Sequence, residues 1–213
     1  MRLNSFSILN SILCLAPIVF FLGCATQPVA LDSAKTQGHW ETKAQVRDIK
    51  NQKTNSLSID FVAFKQDRLR AEVTGSLGVS VATLAINRNQ MQMVIHTQKK
   101  FYSGKVSDKA LVSLTGMRLD PRVLFYALFD EPLPAKVFEC TKDAQGMVDE
   151  CKAKEFDLTV KWTERQGEMK RFTISKKDYE IQILVKTFTT KVQESEGLFK
   201  IDPPAAYKSY QLD

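Results

Sequence analysis

Arg68-Leu69-Arg70-Ala71-Glu72-Val73-Thr74, then Gly75-Ser76-Leu77-Gly78, then Val79 to Asn87, reads as strand, turn and strand, and the fold follows from it. Leu69, Ala71 and Val73 alternate with Arg70, Glu72 and Thr74, the period-two pattern of a strand with one buried and one wet face. A helix would need apolar residues three and four apart, which this stretch lacks. The turn is unusual, because a bulky aliphatic residue, Leu77, stands between two glycines where turns normally carry polar side chains.

Working outward, the same rhythm recurs. Leu57, Ile59 and Phe61 alternate with Ser58 and Asp60, and further strands are expected at Gln90 to His96, Asp157 to Thr163, Lys170 to Ser175, Tyr179 to Thr187 and around Phe199 to Ile201. Short polar turns join most of them, so the sheet should be antiparallel and meandering. The rhythm breaks in mid-chain. Ser107-Asp108 ahead of Ala110, Leu111 and Leu114, with Gly116 beyond, suggests a short capped helix. Asp120-Pro121 then opens a second helix carrying Val123, Leu124, Ala127 and Leu128 on one face. The expected fold is mainly β (α+β), an antiparallel half-open β-barrel with a short helical lid inserted mid-chain.

The chain starts differently. Arg2 precedes an apolar run from Phe6 to Leu22 that ends in Phe21-Leu22-Gly23-Cys24, the layout of a secretory signal peptide. Asn10, Ser11 and Pro17 interrupt it, and it barely reaches the roughly 20 apolar residues of a membrane span. The last four residues resemble a bacterial lipobox, in which the Cys is acylated and becomes the first mature residue. Several acyl chains at about 0.8 kcal/mol per buried CH₂ would make a lasting anchor. Ala25, where Asp would direct retention in the inner membrane, implies the outer membrane by the same resemblance, with the protein on its periplasmic face. The division expected is a signal peptide over 1–23, a lipidated tether over 24–38 and one β-domain over 39–213, acting as a monomer. Export leaves Cys140 and Cys151 as an even pair in an oxidising compartment, expected to form a disulfide across Thr141 to Glu150 worth about 3 kcal/mol. A metal site is the alternative, though neither His39 nor His96 is near in sequence.

Composition excludes more than it selects. Charged residues make up 25% and apolar ones 44%, enough for one sizeable core. The net charge of +6 is scattered with both signs, without the basic block that tracks a phosphate backbone, so nucleic acid is not an expected partner. No H-E-x-x-H, G-x-S-x-G, P-loop or G-x-G-x-x-G occurs, and with two His available no catalytic residue, metal ligand or cofactor is implied; the protein reads as a non-enzyme.

Arg68 through Thr74, Ser76-Leu77-Gly78, the strand to Ile86, and above all Leu114-Thr115-Gly116-Met117-Arg118-Leu119 with the helix from Pro121 to Phe129, resemble the LolB family of outer-membrane lipoprotein receptors. The likeness runs from Arg68 to Glu131. It implies an open barrel with a helical lid, shared with the periplasmic carrier LolA, and a receptor that accepts acylated lipoprotein cargo from a LolA-like carrier and releases it into the outer membrane. The family's protruding leucine falls on Leu77, flanked by Gly75 and Gly78, as a membrane-insertion loop; without the resemblance, Leu77 reads as a cap on the core. Gly75-Ser76 replaces the family's Asn-Pro, the Cys140/Cys151 pair lies outside its pattern, and Asp202-Pro203-Pro204 is closer to the wider superfamily. Phe61, Leu69, Val73, Leu124, Leu128 and Trp162 are the expected lining of an acyl-chain cavity, although a one-residue shift of register would turn any strand residue away. A lipid- or peptide-binding scaffold or sensor of the same fold, without transfer, is the other reading.

Overall fold

The computed structural model describes residues 35–212 apart from 66, 110, 117, 194 and 196, and the side chains of 113 and 114 are left aside. The signal segment, Cys24 and most of the tether therefore lie outside the described residues, as does Met117 of the L-T-G-M run. Twelve strands form one open sheet: β1 Gln37–Asp48, β2 Lys53–Phe64, β3 Arg68–Thr74, β4 Ser80–Asn87, β5 Gln90–Ile95, β6 Lys100–Lys105, β7 Phe138–Lys142, β8 Val148–Ala153, β9 Thr159–Gln166, β10 Met169–Lys176, β11 Tyr179–Thr189 and β12 Lys208–Leu212. Their order is β12-β6-β5-β4-β3-β2-β1-β11-β10-β9-β8-β7, with β12 and β7 at the two edges. Between β6 and β7 come a single turn, α1 Val112–Thr115, and a two-turn helix, α2 Val123–Phe129.

Alternation puts one face of the sheet inward. Trp40 and Ala44 of β1, Phe61 and Ala63 of β2, Leu69 and Ala71 of β3, Met91 and Met93 of β5, Trp162 of β9 and Phe172 of β10 join α2 in one core that reaches across the sheet. A single continuous core drawing on strands this far apart means that the sheet curls around it, with α2 as the lid of a half-open barrel. Each fully buried large side chain contributes about 1.5 to 3 kcal/mol, and the core is dominated by such residues: Trp40, Trp162, Phe61 and Phe172 are all under 2% exposed.

The helix signals hold in part. The Asp120 carboxylate accepts the Arg122 N–H at 2.9 Å, closing the turn that leads into α2. Gly116, at φ 74°, ends α1 in the left-handed region, its N–H donating to the Val112 carbonyl. Asp108 is not the cap of α1, whose N-cap is Leu111, and pairs with Arg118 at 3.7 Å, because α1 begins later than expected.

Three strand expectations are corrected. β1 begins at Gln37, taking in residues 37 and 38 that composition assigned to the tether; Gly38 belongs there because a Cβ would lie 2.5 Å from both the Trp40 and Phe188 rings. Phe199 to Ile201 is not a strand. Those residues turn their side chains onto the outer face of the sheet, where Ile201 packs with Ala85, Val94 and Phe101 while its N–H donates to Gln92 Oε1 at 2.8 Å. The terminal strand is β12, and it runs parallel to β6, so the meander is antiparallel everywhere except at this edge. Cys140 and Cys151 stand directly opposite in the β7–β8 hairpin and form a disulfide.

Candidate functional site

Inside the barrel the apolar faces do not close on one another. A cavity of about 630 Å³ remains between β1–β3, β10–β11 and the lid. Phe61 and Val73 supply one wall, Ile174, Ile181 and Ile183 the facing one, and Leu111, Leu119 and Leu124 hang from the lid segment. No charged side chain enters the wall among the described residues; the polar atoms there come from Thr54, Asn55, Ser56, Ser76 and Thr115. Such a volume is in the range of ligand pockets, roughly 300 to 1,000 Å³. Its driving force for any occupant is the apolar area withdrawn from water.

Of the six residues expected to line it, Phe61, Val73 and Leu124 do. Leu69, Leu128 and Trp162 share the inward face but are packed into the solid part of the core instead. Trp162 donates its Nε1–H to the Ala127 carbonyl at 3.2 Å, which fixes its ring beneath α2. The difference is one of position along the strand rather than of face. Leu69 pairs with Ile86 and Ala63 near the far end of β3, whereas Val73 lies next to the turn. Ile181 and Ile183 were legible as period-two residues of an expected strand; that β11 would close beside β1, facing Phe61, was not.

The Leu77 turn stands at the cavity mouth. Gly75 and Ser76 belong to its rim, opposite Thr54 to Leu57 of β2. Ser76–Gly78 is a single 3-10 turn, closed by the Gly75 N–H donating to the Val79 carbonyl at 2.8 Å and the Gly78 N–H to the Gly75 carbonyl at 3.2 Å. Leu77 itself is 99% exposed and has φ 72°, a left-handed conformation that costs a branched aliphatic residue on the order of 1 kcal/mol. It does not cap the core. The turn holds this side chain out into solvent against its own backbone preference, the sort of strain that collects at functional sites.

One end of α2 is pinned down. Lys170, on the inward face of β10 beside Phe172 and Ile174, is 3% exposed and donates its Nζ to the Leu128 carbonyl at 2.6 Å and to the Asp130 carboxylate. Arg165 reaches the same carboxylate at 3.5 Å. Burial is the largest influence on Lys170 and pushes its pKa below the ordinary lysine value of 10.5, with Asp130 opposing. The sequence reading missed this lysine; period two across Lys170, Phe172 and Ile174 is the signal that puts it on the apolar face, and nothing local names its partner. A second hollow, of about 660 Å³, lies on another side of α2, walled by Val123, Tyr126, Leu133, Phe138, Phe156 and Leu158, with Lys176 and the ion pairs Arg118–Asp108 and Arg122–Asp120 also lining it. Among the described residues no group of three or more His, Cys, Asp or Glu is placed to hold a metal ion, and no helix is long and apolar enough to cross a membrane.

No family model and no curated protein matches this chain. Among solved structures it is similar to a LolA superfamily protein from Nitrosomonas europaea (TM-score 0.49, 6% identity, 78% of this chain and 91% of that one) and to the domain of a putative outer membrane lipoprotein-sorting protein from Vibrio parahaemolyticus (0.46, 7%, 77% and 89%). An uncharacterized conserved protein from Thermus thermophilus is similar over 84% of this chain and 93% of its own, with TM-score 0.46 and 10% identity. Each is a likeness of chain path at low identity.

Proposed function

We propose that this protein is a lipoprotein anchored in the outer membrane through acylated Cys24, which receives the acyl chains of other lipoproteins from a periplasmic carrier and inserts them into the bilayer. The observation that carries the reading is an uncharged, largely apolar cavity opening beside a turn that presents a fully exposed leucine. Hydrocarbon chains need area removed from water and no directional bonds, which is what this wall offers. Transfer runs downhill from carrier to cavity to membrane and needs no nucleotide. Leu77 acts at the last step, where an apolar side chain dipping into the bilayer lowers the barrier for the chain that follows it.

Two variants separate binding from delivery. Leu124→Glu puts a charge in the wall, where burial of an unpaired carboxylate is opposed by several kcal/mol, and should abolish displacement of a fluorescent fatty-acyl probe. Leu77→Glu should leave that displacement intact and stall delivery of cargo to membranes. Normal delivery by Leu77→Glu would overturn the loop assignment, and unchanged acyl binding by Leu124→Glu the cavity assignment. Depletion distinguishes a receptor, whose loss strands other lipoproteins in the periplasm or inner membrane, from a scaffold, whose loss does not.

A further inference from the structure

Antiparallel pairing fixes which loops share an end of the barrel. β1 ends at Asp48 opposite the start of β2, β10 ends at Lys176 opposite the start of β11, and β3 ends at Thr74 just before the Leu77 turn. The connection from β8 to β9 opens at that same end, since Thr159 pairs with Ser175. This is the pole at which the cavity mouth lies. Large apolar side chains left exposed among the described residues gather there: Ile49, Leu77, Val79, Val112, Val137 and Phe156. Of the remaining two, Met169 is at the opposite pole and Tyr210 lies in the middle of edge strand β12. Turns elsewhere follow the usual polar chemistry, such as Arg88-Asn89 and Gln166-Gly167-Glu168.

Ile49 is the informative member. It sits 45% exposed at the tip of the β1–β2 hairpin, which continues from Ser58 to Lys53 without β3 beside it, about 17 Å of strand at roughly 3.4 Å per residue. The tip is braced, with the Ile49 N–H donating to the Asp178 carbonyl at 2.8 Å, so it is held beside the β10–β11 turn. Cations outnumber the acid at the tip, where Arg47, Lys50 and Lys53 are exposed. The neighbouring Asp48, an ionised carboxylate, accepts the Asn51 N–H at 2.9 Å and a hydrogen bond from the Asn51 Nδ2 at 2.7 Å. Those hydrogen bonds hold the Asp48 carboxyl below its ordinary pKa, so it remains an acceptor fixed within the turn. Among the loops of this pole Lys50, Lys53, Lys154 and Lys177 are exposed against exposed Glu155 and Asp157, which flank Phe156, and this positive balance suits a bilayer with anionic headgroups, where each cation near the surface adds about fivefold to binding.

We infer that the cavity-mouth pole is a docking face for anionic bilayers, entered at Ile49 and Phe156 as well as at Leu77, so that the mouth opens between several points of membrane contact. This deepens the transfer function proposed above and rests on it. A single protruding leucine would let the barrel pivot over the membrane, whereas contacts on both sides of the mouth hold the opening toward the lipid.

The test uses the mature chain from residue 24 with Cys24→Ala, in which Cys140 and Cys151 are joined and one thiol introduced by Ile49→Cys, Leu77→Cys, Phe156→Cys or Met169→Cys is the site for an environment-sensitive fluorophore. Vesicles of phosphatidylcholine alone, or with about 30% phosphatidylglycerol, are added. The expected result is a blue shift at 49, 77 and 156 and none at 169, stronger on anionic vesicles and reduced at about 0.5 M salt. Lys50→Glu together with Lys53→Glu should weaken binding to anionic vesicles about tenfold or more. A shift at 77 alone, an equal shift at 169, or indifference to headgroup charge overturns the inference. Acyl-probe displacement by the same chain without vesicles is read separately: its loss would sink the transfer function and leave the docking result standing.

Discussion

At Leu77 the backbone is left-handed (φ 72°) and the side chain touches almost nothing, so packing does not reward the residue for the strain it carries. Leu77→Asn, which tolerates this conformation, should raise the unfolding free energy by about 1 kcal/mol in urea titration while abolishing delivery. A loss of stability would show that the leucine is held by contacts after all. Lys170 makes the opposite case, a charged residue that packing encloses completely. Its folded pKa lies below 10.5, so between the folded value and 10.5 the unfolded chain binds more protons than the folded one, and stability from this group rises with pH across that interval. Denaturation of wild type and Lys170→Met from about pH 8 to about pH 10.5 should show wild type gaining on the variant as pH rises. A constant difference would mean that Asp130 and the Leu128 carbonyl fully offset the loss of water.

Among the elements, α2 and β12 are attached in contrasting ways. α2 is held at its C-terminal end by Lys170 on the Leu128 carbonyl, by Trp162 on the Ala127 carbonyl and by the ion pairs of Asp130, a concentration of partners that fixes the lid against β9 and β10. α1 is a single turn of helix that places Thr115 at the cavity, with Leu111 just before it. β12 has only an edge to bind. It pairs with β6 from Lys208↔Lys100 to Leu212↔Gly104, and Tyr210 stacks on Tyr102 with ring centroids 5.2 Å apart. A Cβ on Gly104 would lie 2.3 Å from the Leu212 carbonyl oxygen, and this backbone contact cannot give way as a flexible side chain would. Gly104→Ala should therefore release the end of β12 and speed amide exchange across Tyr210 to Leu212 without unfolding the barrel. Unchanged protection there would show that β12 shifts to accommodate the methyl group.

For the molecule as a whole, the outcome of the sequence reading depends on how local each interaction is. The fold class and most strands were legible because alternation is written within a few residues: Leu69-Arg70-Ala71-Glu72-Val73 has one way to bury its apolar face. β12 was missed in favour of Phe199 to Ile201, since Lys208 to Leu212 is a polar edge strand with no buried face to declare it, while the apolar pair upstream packs on the outside of the sheet. The cavity was half legible. Phe61, Leu69, Val73 and Trp162 lie on the inward face of their strands and Leu124 and Leu128 on the buried face of α2, but whether a side chain meets a neighbour or an empty space depends on which strands close beside it and where the lid comes down. The amino-acid sequence by itself determined the alternating strands, the turn that sets a leucine between two glycines and the cysteine pair, because these rest on patterns spanning a few residues or on the chemistry of one residue type. Only the tertiary structure decided that β11 lies against β1, that Lys170 holds down the lid, and that Ile49, Leu77 and Phe156 share the pole where the barrel stays open, because each depends on segments far apart in the chain meeting once the sheet has curled.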